Sequence, residues 1–143
     1  MSQPTALHSV SVAGVVIRDD GRVLAIRRAD NGTWEPPGGV LELAESVEDG
    51  VRREVFEETG IKVSVERLTG VYKNVTRGVV ALVFRCRPEG GTEQLSDEST
   101  AIDWLTLAKV EDHMGEVFAV RVLDALRGDA APSIRTHDGQ RLL

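Results

Sequence analysis

The stretch from Gly38 to Ile61, GGVLELAESVEDGVRREVFEETGI, constrains this chain more than any other, because it gathers acidic residues on one short element directly after a double glycine. Glu54, Glu57 and Glu58 fall within five positions. Ser46 is placed as a helix N-cap with Asp49 three positions on, a weaker form of the capping box, and Gly60 supplies the C-terminal stop. The spacing therefore predicts a helix over 47–59. At about 3.6 residues per turn, Val47, Val51 and Val55 form an apolar stripe that faces the body of the protein, with Glu54 and Glu58 almost in the stripe and Glu57 on its flank. Phe56 projects to the opposite side. On an exposed helix such like charges cost only a few tenths of a kcal/mol and the element is a solvated face. Beside an apolar stripe, two carboxylates about 5.5 Å apart at an effective dielectric constant of ~20 repel by ~3 kcal/mol, and three of them ask for a cation.

The chemistry of the donors narrows that cation. Carboxylate oxygens are hard ligands, and His8, His113 and His137 are isolated, with no Cys or His cluster for a softer metal. Magnesium fits, since it takes a few carboxylates, keeps several waters and completes its shell with phosphate oxygens. No Gly-Lys-Ser or Gly-Lys-Thr is present, so the common phosphate-binding loop is excluded. Gly38 and Gly39 then serve either as a plain turn or as a place where backbone comes close to a metal or phosphate.

The rest of the chain frames this element. At 143 residues, with 41% hydrophobic and 28% charged content, residues 1–143 read as a single globular domain. Residues 8–17 and 22–28 are rich in β-branched residues and, with Asp20-Gly21 between them, read as a hairpin. Residues 29–39 read as a loop. Residues 61–72, 78–87 and 100–107 read as strands, and residues 116–126 as a second amphipathic helix with Val117, Val120, Leu123 and Ala125 or Leu126 on its apolar face. The tail from Asp129 lacks a strong period and is expected to be a short ribbon or partly mobile. Phe84 and Trp104 are expected in the core, and Cys86, in an apolar run, as an inert buried thiol. This order of elements suits an α/β fold, a mixed sheet with helices on its faces.

Charge and composition exclude several partners. A net charge of -6 and a pI near 5.1 argue against capture of a nucleic acid polymer or an acidic membrane surface. One cysteine forms no internal disulfide, the N-terminus lacks the pattern of a signal peptide, and no run approaches the ~20 apolar residues of a membrane span. A cytoplasmic protein acting on a small molecule is the expectation.

Taken together these residues resemble the Nudix hydrolase family, whose signature is met by Gly39, Glu45, Arg53, Glu54, Val55, Glu57, Glu58, Gly60 and Ile61 with both internal spacings intact. The resemblance implies the family's α/β/α sandwich and a hydrolase that cuts a nucleoside diphosphate linked to another moiety, with divalent metal and water. Pro36, in WEPPGG, departs from the apolar residue that relatives usually carry there, which implies a stiffer loop. By the same resemblance Glu57 and Glu58 hold magnesium, with manganese as a substitute, and the carbonyl of Gly38 or Gly39 adds a ligand. Glu54 adjoins them as a metal ligand or as the group that orients or deprotonates water, and Arg53 orients a motif carboxylate. Glu45 supports from behind, and Glu98, in the loop before a strand, is either a further ligand or base or an ordinary exposed loop acid. Arg27 and Arg28, at the end of a strand facing the glycines, either clamp a phosphate or, since side chains alternate along a strand, in at least one case face solvent, and Trp34, in the loop before the glycines, is the candidate wall for the substrate.

Substrate choice lies outside the motif. Relatives acting on ADP-ribose often carry a proline about sixteen residues beyond it, where Arg77 stands here, and Tyr72 comes too early to match relatives that cut dinucleoside polyphosphates. These departures favour nucleoside triphosphates or related and damaged nucleotides. The alternatives are an enzyme for ADP-ribose or nucleotide sugars, a nucleotide-binding or regulatory domain of the same fold that does not cleave, and a magnesium-binding helix with only structural duty. A homodimer is compatible with the acidic surface.

Overall fold

Alternation along the first strand decides the architecture. In the computed structural model, which describes residues 4–128 and 131–143, β1 (Ser9–Val16) sends Val12 and Val16 to one face and Ala13 and Val15 to the other, and all four are buried. A strand buried on both faces needs a cover on each side. The remaining elements are β2 (Val23–Arg28), β3 (Trp34–Glu35), β4 (Gly38–Val40), α1 (Val47–Thr59), β5 (Ile61–Asn74), β6 (Val79–Gly91), β7 (Ser99–Leu105), α2 (Leu107–His113), α3 (Glu116–Leu126) and β8 (Ser133–His137). Five of the strands form one sheet in the order β4-β1-β6-β5-β8, and β3-β2-β7 form a second. The larger sheet is mixed: β1 runs parallel to β6 and β5 parallel to β8, whereas β4 with β1 and β5 with β6 are antiparallel.

Two cores result, one per face. Val51 and Val55 of α1 meet Val12, Val16, Phe84 and Cys86, while Val122 and Ala125 of α3 and Val110 of α2 meet Ala13, Val15, Tyr72 and Val83. This is the expected α/β/α sandwich, a mixed sheet flanked by helices. Burial pushes the Cys86 thiol up to about 12, so it stays protonated and inert at neutral pH. Phe84 lies in the core as expected; Trp104 is half-buried at its edge, with its indole N–H donating to Glu93 Oε1 at 2.8 Å and the Arg18 guanidinium 4.8 Å from its ring. Phe56 is half-exposed on the outer side of α1.

Several local expectations change. β1 and β2 share only the single bridge Ile17 to Val23 and then diverge into different sheets, so no paired hairpin forms. The reason is that β1 gains β4 and β6 as neighbours, and β2 gains β3 and β7. The loop over 29–39 contains β3 and the start of β4. α2 was not legible, because this single two-turn helix buries only Val110, and its visible signal is the Thr106 side chain accepting from the Lys109 N–H. The tail contributes β8 to the edge of the sheet; its first residues, Asp129 and Ala130, lie outside the described residues. Among the described residues no helix is long and apolar enough to cross a membrane.

The helix over 47–59 has the expected limits. Ser46 accepts from the Asp49 N–H at 3.2 Å, and Gly60 takes the left-handed conformation at φ 75° while its N–H caps the Phe56 carbonyl. Gly60→Ala places a methyl group against the Thr92 carbonyl oxygen in a conformation that itself costs about 1–2 kcal/mol. The expected loss in a urea unfolding measurement is at least that much.

Candidate active site

The buried stripe of α1 sets the direction of its acids. With Val51 and Val55 sealed against the sheet, Glu58 is carried inward to 6% exposure, and Glu54 lies beside it against the glycine strand. Glu57, one step round the helix, keeps its side chain 58% exposed. A Cβ on Gly39 would stand 2.5 to 2.7 Å from the Glu54 carboxylate, and one on Gly38 would run into the Val12 carbonyl oxygen. Gly38 therefore excludes any larger residue, whereas a side chain at Gly39 would displace the Glu54 carboxylate from its place. The Gly38 N–H points at Glu58 Oε2 from 3.4 Å.

Arg53 organises the outer side of this group. Its Nε and Nη2 donate to the two oxygens of Glu45 at 2.9 and 2.6 Å, its Nη1 to Glu54 at 2.8 Å and Glu57 at 3.2 Å, and its Nη2 also to the Val40 carbonyl at 3.1 Å. Glu45 in turn accepts from the Glu42 N–H at 2.9 Å. The Arg53 hydrogen bonds, with that backbone donor, hold the Glu45 carboxyl down at about 2. Glu45 is thus ionised throughout the neutral range and fixes Arg53, which fixes the acids.

The inner acids are held the other way. Burial, together with the charge of Glu54, pushes Glu58 up to about 8. Burial also raises Glu54, partly offset by Arg53, and raises Glu35, partly offset by Arg28. Glu98 lies in a shallow hollow with Arg28, Ala29, Asp30 and Asp97, close enough that its charge adds to the rise at both Glu54 and Glu58. Among the described residues no three His, Cys, Asp or Glu side chains stand close enough to enclose an ion as they are placed. Glu54 and Glu57 are both drawn to Arg53. The donor set suits a hard divalent cation that keeps water and substrate oxygens in its shell, and it does not suit an all-protein cage.

A cleft of about 380 Å³ opens beside the glycines. Arg28 lines it, paired with Asp30 at 2.6 and 2.8 Å and with Glu35 at 3.2 Å. Arg27 is not on its wall; its Nε donates to the Gly32 carbonyl at 3.1 Å and closes the turn between β2 and β3. Trp34 is also off the cleft wall, packed against the α3-side core with its ring edge-on to His113 at 6.1 Å. Sequence reasoning missed Glu35, Arg121 and His137, which do line the cleft. Its expected apolar face for α3 was turned: the buried residues are Val117, Arg121, Val122, Asp124 and Ala125, and Leu123 is exposed. The available signal was an Arg and an Asp three apart on that helix, where opposite charges on an inward face point to a specific partner.

A family model for the NUDIX domain matches residues 7–126. The chain belongs to the Nudix family. It is 66% identical to a MutT-like protein of Streptomyces ambofaciens, over all of this chain and 96% of that one. Similarity to an ADP-ribose pyrophosphatase of Methanocaldococcus jannaschii is 33% identity over 71% of this chain and 64% of the relative. The solved structure of a MutT protein from Methanosarcina mazei superposes with a TM-score of 0.74 at 27% identity, covering 90% of this chain and all of that one. This Nudix protein is accordingly a hydrolase.

The raised carboxyls have a consequence for stability. Glu58 has an ordinary value of 4.5 when unfolded and about 8 when folded, so between those pH values the folded form binds a proton that the unfolded form lacks. Stability without metal therefore falls as pH rises across that window. The difference in melting temperature between the wild type and Glu58→Gln should shift against the wild type from pH 5 to pH 8. Added magnesium should raise the wild-type melting temperature more at pH 8 than at pH 6, as scanning calorimetry would show.

Proposed function

We propose that this Nudix protein is a magnesium-dependent pyrophosphohydrolase that cuts a nucleoside diphosphate linked to another moiety. The observation that carries the reading is the complete set of Glu54, Glu57 and Glu58 around a double glycine, with Glu58 buried against one backbone donor among the described residues, the Gly38 N–H. A buried carboxylate in that position lacks a counter-charge, and a divalent ion would supply it. Glu57 and Glu58 would hold magnesium, with manganese as a substitute, the carbonyl of Gly38 or Gly39 as a further ligand, and Glu98 as an additional one. When bound, the metal offsets the charge of the diphosphate and lowers the pKa of water.

The chain's own residues divide the remaining tasks. Glu54, raised by burial, is suited to orient the attacking water and take its proton as the new oxygen to phosphorus bond forms and the anhydride bond breaks. Arg53 is a positioning residue: it holds Glu54 and Glu57 in place through charge-assisted hydrogen bonds and is itself held by Glu45. Arg28 lines the cleft next to Glu35 and would meet a phosphate of the diphosphate, while Arg27 and Trp34 would support the turn and the core behind it.

Nucleoside triphosphates and related or damaged nucleotides are the favoured substrates, because Arg77 and Tyr72 depart from the positions that mark relatives with other substrates. The similarity to an ADP-ribose pyrophosphatase makes ADP-ribose the second reading. The cytoplasmic setting, the single-domain organisation and the option of a homodimer belong to the same proposal.

The test is incubation with magnesium and nucleoside triphosphates, oxidised nucleotides, ADP-ribose, nucleotide sugars and dinucleoside polyphosphates, with products identified by mass. Cleavage of one class that Glu57→Gln abolishes while its melting temperature holds is the expected result. Tight binding of a nucleotide with no cleavage would replace the hydrolase with a sensing domain. Loss of fold in Glu57→Gln would make the metal structural. Arg53→Ala should lower kcat by about 10–100-fold and weaken manganese binding, because the acids it orients are left free to splay.

A further inference from the structure

The cleft crosses the whole of the larger sheet. Its floor takes Gly38 from β4, Ala13 from β1, Ala81 from β6, Tyr72 from β5 and His137 from β8, four strand intervals or roughly 19 Å from edge to edge. The acids on its wall, Asp30 and Glu35, sit with Arg28 next to the glycines. The other end holds Arg77, Arg121, Asn74 and His137, and no acid lines it.

Arg121 is the unusual member. It is 9% exposed, with the Tyr72 ring 5.0 Å and the Phe118 ring 4.9 Å from its guanidinium. Among the described residues it makes neither a hydrogen bond nor an ion pair, and its Nε is sealed without a partner. The acid one turn along α3, Asp124, is already committed: it accepts from the Tyr72 hydroxyl at 2.7 Å and from Arg135 at 2.8 and 2.7 Å. Glu35 is near enough to favour the charge on Arg121, but its bonded partner is Arg28. His137 is equally buried, and its Nδ1 accepts from the Gly139 N–H at 3.0 Å, which assigns the ring proton to Nε2. Among the described residues that Nε2 has no partner either.

Both unmatched groups are therefore donors, and one is a cation. The aromatic rings take up the guanidinium, so what it offers a ligand is the fork of N–H groups at its edge. Such a fork matches two oxygens of a phosphate or carboxylate, and an anion also meets the charge, which buried arginines otherwise find in an acid. A guanine edge would fill the fork but leave the charge unmet.

We propose that Arg121 and His137 form a second anion subsite, which holds a phosphate or carboxylate that the substrate carries away from the diphosphate to be cut. This rests on the hydrolase reading for the identity of the diphosphate end and narrows its substrate class. The favoured ligand is a nucleoside diphosphate derivative with an additional oxyanion, in preference to one that ends in a neutral sugar.

The probe is inorganic phosphate, titrated into the full-length metal-free protein while the His137 ring nitrogen is followed by NMR, its signal assigned by its loss in His137→Gln. A saturable shift is expected in the wild type and equally in Glu57→Gln. In Arg121→Gln the affinity should fall about tenfold or more, the loss of a charge-assisted hydrogen bond. Arg121→Lys, which keeps the charge and loses the fork, should lie between them, and melting curves check that each variant is folded. A parallel calorimetric comparison uses ADP-ribose and its 2′-phosphate; the phosphorylated ligand should bind more tightly to the wild type and lose that advantage in Arg121→Gln. No saturable phosphate shift, or the same affinity in folded Arg121→Gln and Arg121→Lys, would overturn the subsite. So would displacement of the His137 signal by GMP but not by AMP or phosphate, which would give Arg121 to a base edge. Phosphate binding that persists in a protein without hydrolysis would sink the hydrolase reading alone, whereas hydrolysis without phosphate binding at His137 would sink only the subsite.

Discussion

The paired hydrogen bonds between Arg53 and Glu45 are the constraint on which the site depends. Glu45 belongs to the irregular segment between β4 and α1, and Arg53 to the second turn of the helix, so the pair ties the glycine loop to the helix across eight residues of chain. The same guanidinium reaches the Val40 carbonyl at the end of β4, which leaves the loop little freedom to lift. A lysine has one point charge and no rigid fork, and it would not bridge these partners at once. The close approach of Gly39 to Glu54 follows from this tie, because strand and helix are held face to face with only a hydrogen atom between backbone and carboxylate.

Around that clamp the electrostatics are arranged in opposition. Glu45, on the outer side and bonded to Arg53, is stabilised in its charged form, while Glu54 and Glu58, on the inner side, are penalised for theirs. The difference lies in burial more than in residue type: all are glutamates of one short segment. The valine stripe that fastens α1 to the sheet is what drives Glu58 below the surface, so the same apolar packing that stabilises the helix also raises the carboxyl. A fold that keeps these carboxyls from ionising without a counter-charge is ready for a cation, and proteins place such perturbed groups at functional sites.

The opposite end of the cleft shows the converse arrangement. Asp124 is spent on Tyr72 and Arg135, a buried network that joins α3 to β5 and β8, and Arg121 is left with aromatic rings in place of an acid. α3 therefore does two things with adjacent polar residues. One fixes the helix to the sheet, and the other faces the ligand space. Acids paired with Arg28 near the glycines, and cations with no acid on the wall at the other end, give the cleft a direction, which a flat hydrophobic groove would lack.

Much of this was legible from residue order alone. The limits of α1, its Ser46 and Gly60 caps, its valine stripe and the convergence of Glu54 with Glu58 all follow from local spacing, because a helix repeats every few residues and its ends need particular partners. The resemblance to the Nudix signature was carried by the same short segment, as was the partnership of Arg53 with a motif carboxylate. What local spacing leaves open is which distant elements become neighbours. Whether β1 pairs with β2 or with β6, whether Arg27 or Arg28 faces the cleft, which side of α3 is buried, and the meeting of Arg121 with Tyr72 and of His137 with the cleft are set by contacts between residues tens of positions apart. The chain alone determined the helix and its acids, since those depend on bonds within one turn. Only the tertiary structure decided the cleft and its unmatched cation, since those depend on which surfaces the two cores leave exposed.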